Sequence, residues 1–148
     1  MATGVEANIY GALSARLAAL VFNPAWPISW PNIDFPGKGP DGKVKPKPPR
    51  FLEVNFLPNR TVTRTLSQGR QQHRGIYQVT VHHPSGEESL VNPLQIADRI
   101  IAHFPLGLIL DQGGIRLKIY RKPYAIPQPP QNGSVTVPVT IGYETYQP

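Results

Sequence analysis

Two segments of the chain repeat apolar residues at the spacing of an amphipathic α-helix. Within residues 5–22 the apolar positions are three and four residues apart, so they share one helix face. This face consists of Val5, Ile9, Leu13, Leu17 and Leu20. Within residues 92–104 a second stripe follows Asn92, a favourable N-cap, and Pro93, a favourable first helical residue. We therefore predict two helices, each ended by a proline that follows it.

Four other segments alternate apolar and polar residues, which is the period of a half-buried β-strand. They cover residues 50–57, 75–83, 115–120 and 134–146. Pro138 in the last segment indicates an edge position or a bulge, because proline cannot donate to a strand ladder. The apolar residues 26–36 are interrupted by prolines, so this stretch suits an edge strand or an extended arm.

The predicted elements follow one another as a helix, two or three strands, a second helix and two further strands. Each of the four clear strands has one apolar and one polar face, which is typical of a largely antiparallel sheet covered on one side. Two amphipathic helices can supply that cover. The pattern predicts an α+β two-layer sandwich: a mostly antiparallel sheet of four to five strands, two helices on one face, and long proline-rich loops.

The side of the first helix opposite its apolar stripe carries small residues instead of the usual lysines and glutamates. These residues are Asn8, Gly11, Ala12, Ala15, Ala18 and Ala19. One interpretation is that alanine is simply a strong helix former. The other is that this side packs on a second subunit. Gly11 lowers helix propensity, and a close contact with a second subunit would explain a glycine at this position.

Length and composition restrict the class of protein. A chain of 148 residues suits a single domain, residues 1–148, and can bury a core without covalent cross-links. The absence of cysteine excludes disulfide scaffolds, cysteine zinc sites, iron–sulfur clusters and thiol nucleophiles. No segment reaches the roughly 20 apolar residues of a membrane span, and the first residues lack the pattern of a secretory signal. We therefore expect a protein that is cytoplasmic at some stage.

The net charge of +6 and the 18 prolines are both concentrated in one region. Residues 38–74 contain nine basic and two acidic residues, whereas the rest of the chain has a net charge of −1. Nine of the prolines lie within residues 24–58. We predict flexible loops at residues 37–49 and 58–74. The basic residues fit a solvated loop, a loop that orders against a protein partner, or direct phosphate contact.

The sequence contains no recognisable catalytic or cofactor-binding pattern. The single Gly-Gly pair lacks the phosphate-binding motifs, and no serine stands in a nucleophile-elbow motif. His82 and His83 are adjacent on a predicted strand, so their rings point to opposite faces and cannot chelate one metal. We predict His73 in a loop and His103 on the outer side of a helix, with all four histidines at the surface. We expect no enzyme activity, metal or cofactor.

Four stretches of the chain together resemble the sequence pattern of a known protein family. They are the first helix up to Phe22-Asn23-Pro24, residues 30–36, residues 75–81 followed by residues 97–105, and residues 137–143. The most specific of them are the Trp-Pro-Asn segment that starts at Trp30 and the Phe-Pro pair that follows the second helix. In this order, the stretches resemble the phage tail terminator-like family of long-tailed phages and prophages.

The resemblance implies a structural virion protein that acts as a ring, typically a hexamer on the tail, and that can be a monomer in solution. Such a ring caps the tail tube, stops its polymerisation and offers a docking surface to the head–neck connector, while DNA passes through the pore. It also implies a place in the virion tail after assembly in the host cytoplasm, without cofactor, catalytic residues or membrane contact. The alternatives are another neck, minor tail or head–tail joining protein, and a small basic nucleic-acid-binding module.

The two long loops are the candidates for contacts between subunits or with tail partners, because they are longer than a connection requires. Their candidate contact residues are Lys38, Lys43, Lys45, Lys47, Arg60, Arg64, Arg70 and Arg74. Gly11, Ala15 and Ala18 on the small-residue side of the first helix complete the set.

Overall fold

The computed structural model describes residues 4–22, 25–37, 40–43, 46, 48–59, 62–63, 71–86 and 90–147. Within these residues the chain forms two α-helices, α1 (Val5–Ala18) and α2 (Val91–His103), and eight β-strands. The strands are β1 (Ile28–Ser29), β2 (Phe51–Pro58), β3 (Val62–Thr63), β4 (Gln71–Pro84), β5 (Ile109–Gln112), β6 (Ile115–Ile119), β7 (Tyr124–Ala125) and β8 (Ser134–Gln147). The predicted α+β class is confirmed.

All eight strands join one sheet in the order β1-β2-β4-β8-β6-β5, with β3 paired to β4 and β7 paired to β8. β1 runs parallel to β2, and the other described pairs are antiparallel. The prediction of four to five strands is therefore wrong. β1, β3 and β7 have only two residues each, which is too short to show an alternation of apolar and polar positions.

The centre of the sheet is the long pairing of β4 with β8, which runs without interruption from Gln71↔Gln147 to Pro84↔Ser134. Tyr77, Val79 and Val81 face the core from β4, as their alternation predicts, and all three are fully buried. Their partners on β8 are Ile141, Val139 and Val137, also fully buried. Removing each of these side chains from water stabilises the fold by roughly 1.5–3 kcal/mol before entropy is counted.

Both helices cover the same face of this sheet, as the sequence predicts. Ile9, Leu13 and Leu17 of α1 are fully buried, and so are Ala97, Ile100 and Phe104 of α2. All of them belong to one apolar cluster with the inward residues of β2, β4, β6 and β8. The opposite face, called here the outer face, carries the alternate residues of the same strands.

The helix boundaries differ from the prediction. α1 ends at Ala18 and not at residue 22, although Phe22 beyond it still packs into the core. α2 begins at Val91, preceded by the N-cap residue Leu90, whose side chain makes no capping hydrogen bond. Asn92 therefore lies inside the helix, and Pro93 is buried there. The predicted end is confirmed, since the helix stops at His103 before the Phe-Pro pair.

Pro138 lies inside β8, so the prediction of an edge position or a bulge is wrong. Its carbonyl oxygen accepts from the N–H of Ile126, 3.3 Å away, on the side of β7. Because the N and C=O of one strand residue point the same way, the missing N–H also faces this side and not β4. The ladder with β4 therefore passes the Thr80↔Pro138 pair without a gap.

The predicted loop of residues 58–74 is partly strand. β2 continues to Pro58, β3 pairs with β4, and β4 begins at Gln71. The N–H of Asn59 donates to the carbonyl of Arg74, 2.8 Å away. The polar composition of this segment misled the prediction, since a strand that extends beyond the core needs no apolar face.

Candidate functional site

Several of the predicted contact residues lie outside the described part of the chain. They are Lys38, Lys45, Lys47, Arg60, Arg64 and Arg70. Lys43 is described and exposed, and its backbone N–H donates to Oδ1 of Asp41 at 3.0 Å in a local turn. The predicted contact role of these loops remains a hypothesis.

Arg74 is in β4 on the outer face and not in a loop, which corrects its predicted setting. Its Nη2 donates to Oε2 of Glu144 on β8, 3.1 Å away. Gln72 donates to the same oxygen at 3.2 Å. The Arg74 guanidinium also lies 4.5 Å from the ring centre of Tyr120. These contacts hold a cation in a defined position on the sheet.

The strand register extends this group into a patch. Arg74 pairs with Glu144 across β4 and β8, and Glu144 pairs with Lys118 across β8 and β6. The Tyr120 ring lies against Gly142 of β8, where a Cβ would come within 3.1 Å of it. The Arg121 guanidinium is 4.9 Å from the centre of the same ring. We call Arg74, Lys118, Tyr120, Arg121 and Glu144 the Tyr120 patch.

The sequence did not indicate the Tyr120 patch as a whole, although its alternating pattern indicated the position of two of its residues. The alternation in β6 correctly placed Lys118 and Tyr120 on the same outward side of the strand. Their proximity to Arg74, 44 or more positions earlier in the chain, depends on the pairing of both strands with β8. Pairing between distant strands has no local signature, so it could not be predicted.

The small-residue side of α1 is divided between the core and the surface. Asn8 and Ala12 are buried, so their predicted place on a free side is wrong. Gly11 faces the Gln112 side chain of β5, and a Cβ at this position would collide with the Gln112 amide. A contact within the chain therefore explains the glycine. Ala15 and Ala18 are exposed and remain candidate contact residues.

Two histidines are buried, contrary to the predicted surface location. His73 belongs to β4, and its Nδ1 lies 3.1 Å from Oε1 of Glu6 on α1. His83 is 2% exposed and stacks with Trp26, with 6.5 Å between the ring centres. Both rings lie on the inner side of the sheet, because β4 presents its odd-numbered residues to the core.

The other two histidines also have partners in the fold. His82 lies on the outer face, as predicted, where its ring stacks on Phe51 at 4.2 Å and its Nε2 contacts Glu53 at 3.1 Å. His103 joins the two helices, because its Nε2 donates to the carbonyl of Arg16, 2.6 Å away. These contacts assign structural roles to the histidines.

Burial also affects two tyrosines in the core. It raises the pKa of Tyr77 well above the usual range, and the hydrogen bond from Ser14 partly offsets this increase. It raises the pKa of Tyr143 in the same way, and the nearby Glu6 carboxylate adds to the increase. Both phenols are therefore neutral at ordinary pH.

Two large aliphatic side chains on the strands are exposed. Leu57 of β2 lies beyond the residues that pair with β1 and is 49% exposed, and Ile109 of the edge strand β5 is 52% exposed. An open groove of about 590 Å³ runs along the end of α2, with Leu106 and Lys122 in its wall.

Among the described residues, no group of three or more histidine, aspartate or glutamate side chains could hold a metal ion. No described helix is long and apolar enough to cross a membrane. What the described structure does present is a domain of the α+β class, with two helices on one face of a single mixed sheet and charged side chains on the outer face.

Comparison with known families identifies the chain more closely. The family model described as "Phage tail terminator protein" matches residues 8–143. The chain therefore belongs to the phage tail terminator family, which makes it a structural protein of the phage tail that associates with other tail proteins. The resemblance noted from the sequence is confirmed.

Solved structures agree with this assignment at the level of the fold. Six chains of known structure match, and one of them has a TM-score of 0.75 and 27% sequence identity. The superposition covers 97% of this chain and 96% of that chain. No protein with a curated functional description matches.

Proposed function

We propose that this protein, acting as a single domain, caps the end of the phage tail tube, stops its polymerisation and offers the head–neck connector a docking surface. The observation that carries the proposal is the family match over residues 8–143, which includes both helices' core residues and the central strands. The protein acts in the virion tail after assembly in the host cytoplasm. Its partners are the tube protein, the connector protein and further copies of itself.

The geometry of the sheet supports assembly as a ring. Its two edges differ, since β1 pairs in parallel with β2 at one edge and β5 pairs antiparallel with β6 at the other. A contact that joins unlike surfaces of identical subunits is heterologous, and it produces a ring when the rotation closes. We propose a hexameric ring on the tail, with DNA passing through its pore. In solution the protein can be a monomer that joins the ring on the tail.

Termination follows from the shape of such a ring. One side of the ring resembles the end of the tube closely enough to bind it, and the other side does not accept a further tube subunit. The segments of residues 37–49 and 58–74, with the basic residues in them, are the proposed contact segments, and Arg74 contributes from β4. Ala15 and Ala18 on α1 are proposed contacts between subunits, because both are exposed.

The direct test is tail length in the absence of the protein. A phage or induced prophage without the gene is expected to make tubes of irregular and excessive length, measured by electron microscopy. Adding the purified protein during tube polymerisation in vitro is expected to halt growth. Tubes of normal length that fail to join heads would contradict termination and would support the head–tail joining role instead.

A further inference from the structure

The Tyr120 patch carries more positive charge than its own contacts neutralise. Arg74 is paired with Glu144, which is the only carboxylate within the patch. Lys118 is exposed and has no ion-pair partner among the described residues. Arg121 is also exposed and donates to the hydroxyl oxygen of Tyr120, 2.6 Å away. Two cations therefore remain uncompensated on a folded part of the sheet.

Four of the five residues of the Tyr120 patch, all except Lys118, have side chains that are held in place before any partner binds. The Tyr120 ring rests on the backbone of Gly142, and two guanidinium groups lie within 5 Å of its centre. Glu144 receives hydrogen bonds from Gln72 and Arg74 on the neighbouring strand. Side chains that are already ordered lose less conformational entropy on binding, so such a cluster is a favourable anchor.

From this geometry we infer that the Tyr120 patch docks a carboxylate-bearing protein surface at the end of the tail tube. Charge complementarity carries the inference, because two unpaired cations on an ordered surface match acidic side chains of a partner. Arginine and tyrosine are also the residue types enriched at the centres of protein interfaces. The inference rests on the proposed function, since the tube is the partner.

Two features favour a protein over a nucleic acid at this surface. The Tyr120 ring is occupied by Gly142 and the guanidinium groups, which leaves little ring surface on which a base could stack. The exposed Ile109 pairs with Lys118 from β5 and adds apolar area beside the charge, as in protein interfaces.

The chain offers a matched pair of variants for the test. Lys118→Glu and Lys122→Glu replace the same residue type at exposed positions four residues apart, with the same change of charge. Lys118 belongs to the patch, whereas Lys122 lines the groove along α2. Lys118→Gln removes the charge without reversing it, and Arg121→Glu tests the second uncompensated cation. Equal thermal unfolding temperatures would show that all four variants fold.

Binding is measured by co-sedimentation with tail tubes purified from a phage that lacks the gene. Lys118→Glu and Arg121→Glu are each expected to weaken binding roughly tenfold or more, Lys118→Gln less, and Lys122→Glu less than about twofold. A short DNA duplex at physiological salt is the second probe, and no binding by the wild-type protein is expected.

The outcomes separate the inference from the function on which it rests. If the wild-type protein binds tubes and the patch variants bind equally well, the inference is wrong and termination stands. If Lys122→Glu weakens binding as much as Lys118→Glu, only net charge matters and the inference is also wrong. Duplex binding that Lys118→Glu abolishes would replace the protein partner with a nucleic acid. If the wild-type protein does not bind tubes, the proposed function fails and the inference with it.

Discussion

Two tyrosines lie fully buried in the apolar core and differ in what their hydroxyl groups contact. The Tyr77 hydroxyl lies 3.0 Å from Oγ of Ser14 on α1. The Tyr143 hydroxyl has no hydrogen-bond partner among the described residues. A buried polar group without a partner costs free energy, whereas a satisfied one contributes modestly to stability.

Removing the two hydroxyl groups is therefore expected to have different effects. Tyr77→Phe should lower the free energy of unfolding by about 1 kcal/mol, because it removes a hydrogen bond and leaves Ser14 unpaired. Tyr143→Phe should leave stability unchanged or raise it, because no bond is lost. Urea unfolding of both variants measures the difference. A loss at Tyr143 equal to that at Tyr77 would mean that its hydroxyl has a partner outside the described residues.

The turn between β5 and β6 contains two glycines with positive φ, Gly113 at 59° and Gly114 at 80°. A Cβ at Gly113 would collide with the side chain of the buried Asn8, whereas nothing lies within 4 Å of a Cβ at Gly114. Gly114→Ala is expected to cost about 1 kcal/mol from backbone strain. Gly113→Ala should cost more, since strain and collision add. Equal losses in chemical denaturation would disprove the contribution of Asn8.

At the scale of elements, α1 and α2 are joined through a reciprocal contact near their C-terminal ends. Nε of Arg16 donates to the carbonyl of His103, 3.0 Å away. The His103 ring donates back to the carbonyl of Arg16. Each side chain thus donates to a carbonyl in the last turn of the other helix, where the regular backbone hydrogen bonds run out. The Arg16 carbonyl also accepts from the N–H of Ala19, 3.3 Å away. Neither contact between the helices has a sequence signature, because Arg16 and His103 are 87 positions apart.

This junction is expected to weaken in mild acid. Burial lowers the pKa of His103 below its usual 6.5, the Arg16 charge lowers it further, and the hydrogen bond to the Arg16 carbonyl opposes both. A histidine with a lowered pKa binds fewer protons in the folded state than in the unfolded state. Its contribution to stability is therefore present above pH 6.5 and is lost as the pH falls towards the pKa of the folded state.

The measurement is an NMR titration of the His103 ring, which should give a pKa below 6.5. Unfolding monitored from neutral pH to pH 5 should show a decline of stability that His103→Gln reduces. His82→Gln on the outer face is the control for general acid effects. A His103 pKa above 6.5 would show that the hydrogen bond to the Arg16 carbonyl outweighs burial.

At the scale of the whole molecule, the segment of residues 37–49 connects two points that are already close in space. The Phe35 and Phe51 rings are 5.1 Å apart, and the described residues of the segment include no fully buried side chain. Replacing residues 37–49 by a short Gly-Ser linker is therefore expected to preserve folding, with a change in stability of at most about 1 kcal/mol.

The same replacement is expected to abolish tail completion, if this loop contacts a neighbour in the ring or the tube. The paired measurements are urea unfolding of the purified variant and electron microscopy of tails from a phage that carries it. Normal tail length in that phage would remove this loop from the proposed contact set. A variant with a scrambled loop sequence of the same length distinguishes loop chemistry from loop length.

The sequence predicted local features well wherever a periodic pattern was long enough. The buried stripes of α1 and α2 and the inward residues of β4, β6 and β8 are as predicted. The errors lie where a residue's environment depends on a distant partner. His73 and His83 were placed at the surface because nothing nearby in the chain indicates Glu6 or Trp26. Pro138 was placed at an edge because the direction of its missing N–H depends on the neighbouring strands.

By itself, the sequence determined the α+β class, the side of each long strand that is buried, and the concentration of positive charge within residues 38–74. Periodicity and composition carry this information because they reflect local chain geometry and burial. Only the tertiary structure decided the strand order, which brings Arg74, Lys118 and Tyr120 together on one face. The reason is physical: the backbone hydrogen bonds that join two strands are the same whichever strands they join, so the local pattern of a strand does not show which strands become its neighbours.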